Sequence, residues 1–156
     1  MRTIQWLYLI IVVVLVASTG LFVANARTAQ KLRAFVTPAA SVEQLMTGAI
    51  NPAATAIFKA VSTVITAAGV QETAPKTDAE WEAVANSAAV LVESGNLLSS
   101  RSRRMDQTEW VKMSRALVDA ARVSMDAARA KNAGALFTSG EALYLSCDRC
   151  HQRFMK

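Results

Sequence analysis

Apolar side chains recur every three or four residues through most of residues 41–156, and this spacing is typical of amphipathic helices. Alanine is abundant, whereas glycine and proline number six and three. This composition favours helices, because glycine and proline are the poorest helix formers. Neither an alternating strand pattern nor an Asn-Gly hairpin signal stands out. The sequence therefore predicts one all-α domain. A chain of 156 residues is long enough for one domain with a hydrophobic core.

The first predicted helix starts near Ser41 and ends near Gly69, a residue that commonly terminates helices. Pro52 should kink or break it near residues 49–51, because proline lacks an N–H and its ring clashes with the preceding turn. Its apolar face comprises Val42, Met46, Ile50, Ala53, Ile57, Val61 and Val64.

Three further helices are predicted. Two begin with capping boxes, Thr77 with Glu80 and Asp106 with Glu109, and the fourth begins near residue 134. Their apolar faces are, in order, Trp81, Val84, Ala88, Leu91, Gly95 and Leu98; Trp110, Met113, Leu117, Ala120 and Ala127; and Leu136, Phe137, Gly140, Leu143, Tyr144, Cys147, Cys150 and Phe154. Four amphipathic helices with short connections predict an antiparallel four-helix bundle.

Residues 4–24 contain no charged side chain. A helix of this length reaches about 31 Å, close to the ~30 Å hydrocarbon core of a bilayer. The segment is therefore a transmembrane anchor or an export signal, with small residues before a cleavage site at Ala26 supporting the signal. We expect an uncleaved anchor, because signal cores are usually shorter. The predicted organisation is an anchor or signal at 1–26, a linker at 27–40 and a bundle at 41–156.

The formal charge of +5 is unevenly distributed. Residues 41–100 carry two basic and six acidic side chains, whereas residues 101–156 carry eleven basic and six acidic ones. The basic half suits an acidic protein partner, although solvated helix faces explain the charges equally well. "SSRSRR", residues 99–104, predicts a loop. We expect no nucleic acid partner for an exported domain.

Both cysteines and the single histidine lie in "CDRCH", residues 147–151. C-x-x-C-H is the attachment sequence for c-type haem. Two thiols three residues apart on a helix can each add to one vinyl group, and the adjacent imidazole Nε2 can bind the iron. The pattern predicts one covalent haem c, with Cys147, Cys150 and His151 binding it.

Two other readings of "CDRCH" stay open. A structural zinc site usually takes four Cys or His ligands, and this chain has three. A redox-active C-x-x-C pair of the thioredoxin type usually lies in a βαβ unit, and this sequence does not predict one. The other alternative is therefore a C-x-x-C redox pair outside that context or a plain disulfide between Cys147 and Cys150. No triad of nucleophilic catalysis, paired-carboxylate site or phosphate loop is present, and we expect an electron carrier rather than an enzyme.

With the motif on the last helix, residues 41–156 resemble the class II c-type cytochromes, the group of cytochrome c-prime and its low-spin relatives. The stretches that carry the resemblance are "VEQLMTGAINPAATAIFKAV", "TDAEWEAVANSAAVLVESGNLL" and "AGALFTSGEALYLSCDRCHQRF". The resemblance implies thioethers at Cys147 and Cys150, and His151 as proximal ligand. One departure is Met155, where cytochrome c-prime typically has a basic residue four positions after the histidine.

In low-spin members a methionine on the first helix closes the sixth coordination position, and Met46 is the matching residue. A thioether suits haem iron, but a helical methionine can equally fill a core. Leu45 would be the side chain next to the iron if the register of the first helix differs by one residue. Met113 and Met125 are poorer candidates for the iron ligand. Phe154 is expected to pack near the haem, and packing is the expected role of Trp81, Trp110 and Tyr144.

These features predict a membrane-anchored periplasmic monohaem cytochrome that carries single electrons. Its expected partners are a membrane dehydrogenase, a quinol-oxidising complex or an oxidase. Two assemblies stay open, a homodimer and a subunit of such a complex. One alternative is a five-coordinate haem that binds nitric oxide or carbon monoxide. Another is a haem-free helical bundle with a C-x-x-C disulfide.

We predict that the protein purified from membranes retains residues 1–26. N-terminal sequencing checks this, and a mature chain that starts at Arg27 would show instead a cleaved signal and a soluble periplasmic protein.

Overall fold

The computed structural model describes residues 5–8, 10–16, 18, 38–100 and 107–155. It divides the chain into two compact units, Met1–Pro38 and Ala39–Lys156. In the first unit, residues 5–8, 10–16 and 18 are helical and exposed. Among the described residues, no helix is both long and apolar enough to cross a membrane. Much of the predicted anchor at 4–24 and of the linker at 27–40 lies outside the described residues, so both stay predictions.

The second unit is mostly helical, as the sequence predicts. We number its helices α1 (Val42–Leu45), α2 (Asn51–Ala60), α3 (Asp78–Leu98), α4 (Gln107–Arg129) and α5 (Ala133–Phe154). A π-helical turn, Met46–Ile50, joins α1 to α2. Two strands, β1 (Ser62–Thr66) and β2 (Gly69–Thr73), follow α2.

The mostly helical unit also contains two strands that the sequence does not predict. The first helix ends at Ala60 rather than near Gly69, and β1 pairs with β2 in an antiparallel hairpin. Residues 61–66, "VSTVIT", are mostly β-branched and favour extended backbone. Gly69 has a φ of +129°, which side chains rarely adopt. Val64, predicted in the buried face of a helix, is consequently a half-exposed strand residue.

Side-chain caps begin three of the helices, and one of these caps is predicted from the sequence. Ser41 and Gln44 form a capping box at α1, and Thr77 and Glu80 form the predicted one at α3. The side chain of Asn132 accepts from the backbone N–H of Ala135 at the start of α5. The predicted box from Asp106 to Glu109 begins outside the described residues, as does much of the "SSRSRR" segment.

The core lies where α3, α4 and α5 meet. Helix α4 packs against both α3 and α5, and α2 contacts α3 and α5. Leu91, Leu136 and Leu143 are completely or almost completely buried there, and Trp81 and Trp110 are buried as predicted. Each buried leucine stabilises the fold by about 1.5–3 kcal/mol relative to an exposed one.

The buried face of α5 differs from the predicted one. Phe137 and Tyr144 are largely exposed, whereas Ser139 and Ser146 are buried. Both aromatic residues follow a core leucine by one position, which turns them about 100° away from it on a helix. Ser139 and Ser146 donate to the carbonyls of Leu136 and Leu143, so that their hydroxyls are satisfied inside the core. The prediction that Phe137 and Tyr144 lie on the buried face of α5 is therefore wrong, and the packing role of Tyr144 stays a prediction.

We predict that Gly95→Ala destabilises the protein, because a Cβ at Gly95 would lie 2.6 Å from Val118 Cγ2 and 3.1 Å from the carbonyl oxygen of Ser114. Overpacking of this kind costs about 1–3 kcal/mol, more than the helix propensity that alanine adds. The matched control is Gly134→Ala, whose Cβ meets the Asn132 side chain at an ordinary 3.6 Å. Urea denaturation checks both variants, and equal effects would show that α3 and α4 do not approach closely at Gly95.

Candidate functional site

The cysteine and histidine side chains lie near the end of α5. This helix runs without interruption to Phe154, and the backbone N–H of Met155 donates to the carbonyl of His151 at 2.9 Å. Cys147 precedes Cys150 by three residues and His151 by four, so a helix presents all three side chains on one side. All three are half-buried. The arrangement leaves two thiols and one imidazole accessible from the same side of α5.

Two neighbouring cavities open beside these side chains. The first has a volume of about 480 Å³ and is lined by Cys147, Cys150 and His151, and by residues from the other helices. Apolar side chains cover much of its wall, among them Ile50, Ala54, Phe58, Leu98 and Leu117. The second cavity has a volume of about 520 Å³ and is bounded by Trp110, Phe154 and Met155.

Four residues line both cavities: Met46, Asn51, Cys150 and His151. Met46 is half-buried against the hydrophobic core. We call α1, the π-helical turn and α2 together the first helical segment. This segment thus presents the thioether of Met46 to the same two cavities that the imidazole of His151 lines. Leu45, the alternative in the adjacent register, is not among the lining residues of either cavity.

Aromatic side chains close one edge of the second cavity. Trp110 Nε1 donates to the carbonyl of Leu98 at 2.7 Å, which holds the indole in a buried position. The ring of Phe154 meets that of Trp110 edge to face, with 5.0 Å between the centroids. The guanidinium carbon of Arg153 lies 5.4 Å from the centroid of Phe154. Phe154 therefore packs against a rigid indole at the site, where the sequence predicts it.

Burial controls the acidity of the two thiols. It raises the pKa of Cys147, and it raises the pKa of Cys150, which the neighbouring Cys147 raises further. Both cysteines are free thiols in the structure. At neutral pH the neutral thiol therefore predominates at both positions.

The residues present fit a covalently held haem. Two thiols suit thioether bonds, one imidazole suits haem iron, and a thioether stands among the residues opposite. Both cavities lie within the range of about 300–1,000 Å³ that is common for small-molecule sites, and their walls combine apolar with polar side chains. In the part of the chain that the structure describes, no group of three or more His, Cys, Asp and Glu side chains is placed to hold a metal ion directly.

The structure adds residues that the sequence analysis missed. Asn51, Thr55 and Phe58 line the first cavity from α2, and Trp110 borders the second. Their spacing along the chain carried no chemical signal, because amide, hydroxyl and aromatic side chains are common on helix surfaces. Met113 lines the first cavity, whereas Met125 packs against the core without lining either one.

No family model, curated protein or solved structure matches this chain.

In protein made without haem attachment, we predict that iodoacetamide alkylates both cysteines slowly at neutral pH. The thiolate is the reacting form, and burial holds the pKa of each thiol above its ordinary value. The rate should rise with pH through a range above that of an exposed thiol, and urea should abolish the difference. Mass spectrometry of Cys147→Ser and Cys150→Ser separates the two sites. A rate equal to that of the unfolded chain at neutral pH would contradict the burial.

Proposed function

We propose that this protein is a membrane-anchored periplasmic c-type cytochrome of class II, with one covalent haem, that carries single electrons between membrane-associated redox proteins. The observation that carries the proposal is that Cys147, Cys150, His151 and Met46 all line the first cavity, and that three of them, Cys150, His151 and Met46, also line the second. We further propose that the helical segments α1–α2, α3, α4 and α5 act as the four members of an antiparallel bundle.

Each residue of the site has a role in this proposal. Cys147 and Cys150 hold the haem through thioether bonds, each S–H adding across one vinyl group. His151 binds the iron from the α5 side, and Met46 binds it from the first helical segment. The haem supplies an iron that accepts and returns one electron. Phe154 and Trp110 pack at the edge and limit the access of water, which is one determinant of an iron potential.

Two residues on packed helical segments would hold the iron, and this arrangement suits electron transfer. His151 and Met46 each lie on a helical segment that contacts the core, so their positions can stay nearly unchanged between oxidation states. Little reorganisation then opposes the transfer. An anchor at residues 4–24 would raise the effective concentration of the domain near a membrane dehydrogenase, a quinol-oxidising complex or an oxidase. The excess of basic side chains in residues 101–156 favours an acidic partner surface.

The first test is covalent haem in the full chain produced with the periplasmic attachment machinery. We expect a positive pyridine haemochrome assay and a mass increase of one haem, both lost in Cys147→Ser together with Cys150→Ser. A chain without haem, with the mass of a disulfide, would support the haem-free bundle instead.

The second test concerns Met46. We expect Met46→Ala to convert a low-spin ferric haem into a high-spin one, because alanine supplies no donor for the iron. Met113→Ala is the matched control, since Met113 also lines the first cavity and should leave the haem low-spin. Absorption spectra with and without carbon monoxide measure both. An unmodified protein that is high-spin and binds carbon monoxide rapidly would support the gas-binding alternative.

A further inference from the structure

Met46 and Asn51 line the same two cavities although they are five residues apart. In a regular α-helix each residue turns about 100°, so five residues leave a difference of about 140° in direction. The two side chains would then point to different sides of the helix. The π-helical turn Met46–Ile50 changes this relation, because the backbone N–H of Asn51 donates to the carbonyl of Met46, five residues earlier. The wide turn therefore brings Met46 to the site.

The residue that follows this junction explains why the turn is wide. Pro52 occupies the first turn of α2. It has no N–H to donate, and in a regular α-helix its ring would clash with the carbonyl four residues earlier, that of Gly48. A wider turn relieves such a clash, and single π-helical turns are frequent at functional sites. The sequence predicts a kink or break near residues 49–51, and the structure resolves the conflict without ending the helix.

The neighbouring side chains tolerate the wide turn. The Thr47 hydroxyl donates to the carbonyl of Glu43 at 3.0 Å, which gives that carbonyl a partner next to the irregular turn. A Cβ at Gly48 would meet nothing within 4 Å. The space at Gly48 is therefore open, whereas Ile50 in the same turn is buried in the core.

We propose that Pro52 is a positioning residue that imposes the π-helical turn and thereby directs Met46 into the site opposite His151. This inference rests on the proposed haem function. Thr47 already borders the second cavity, but only Met46 also lines the first. In a regular helix Thr47 would take the position of Met46 at the first cavity, because it lies four residues before Asn51. Proline at position 52 thus selects which of two adjacent side chains reaches the iron.

The test replaces the proline with residues that donate an N–H and favour a regular helix. We expect Pro52→Ala and Pro52→Ser to lose the low-spin, Met46-dependent ferric spectrum while they keep the covalent haem. Pro75→Ala is the matched control, since Pro75 lies outside any helix, before α3, and should leave the spectrum unchanged. Circular dichroism confirms that each variant is folded. Low-spin spectra in both folded Pro52 variants, lost again when Met46→Ala is added, would overturn the proposal.

Exchange of the two neighbouring side chains gives a reciprocal test. The double variant that combines Met46→Thr with Thr47→Met and retains Pro52 should lose the low-spin spectrum. The same pair combined with Pro52→Ala should regain it, because the regular helix then directs residue 47 to the site. Failure of this rescue, in protein that holds haem, contradicts the exchange of register.

A readout independent of haem separates this proposal from the proposed function. In haem-free protein, nuclear magnetic resonance should show the Asn51 N–H bonded to Met46 in the unmodified chain and to Thr47 in Pro52→Ala. If the Asn51 N–H still bonds to the carbonyl of Met46 in Pro52→Ala, Pro52 does not impose the turn. Absence of covalent haem from the unmodified chain contradicts the proposed function instead, and leaves this backbone comparison to decide whether Pro52 imposes the turn.

Discussion

The packing of α5 against α4 and the first helical segment is the constraint on which the site depends. Leu136 and Leu143 lie seven residues apart, two turns of a helix, and both are buried almost completely. Deleting a buried leucine side chain typically costs about 2–5 kcal/mol, a large share of the stability of a domain this size. Their burial sets the rotation of α5 about its axis. That rotation in turn directs Cys147 toward the first cavity, and Cys150 and His151 toward both.

Small residues let the helices approach closely enough for this arrangement. Gly95 lies against Val118 at a distance that excludes a methyl group, and Ala88, Ala121 and Ala128 are almost fully buried. Ser124 and Ser139 share a hydrogen bond of 2.9 Å between α4 and α5, which satisfies both hydroxyls inside the core. The abundance of alanine thus has a packing consequence as well as a helical one.

Much of the helical body was predictable, because local signals and burial agree there. The capping box of Thr77 and Glu80 starts α3 where the sequence places it, and the indoles of Trp81 and Trp110 are buried as their spacing indicates. The hairpin was not predicted, since the apolar spacing of Val61 and Val64 also fits a helix. The β-branched residues in 61–66 favour a strand but do not exclude a helix. Phe137 and Tyr144 were misplaced, because hydrophobicity alone does not distinguish the centre of a helix face from its edge.

The candidate site, like the fold, was predictable from the sequence only in part. The chemistry of "CDRCH" and the presence of a methionine on the first helical segment are properties of the sequence by itself, since donor types and local spacing do not depend on packing. Which methionines line a cavity together with His151, and which side chains complete the walls, was decided only by the tertiary structure. The relation between Met46 and Asn51 depends on a wide turn that breaks the helical period, and a period read from the sequence assumes a regular helix. Packing of α5 then brings residues about a hundred positions apart to the same two cavities.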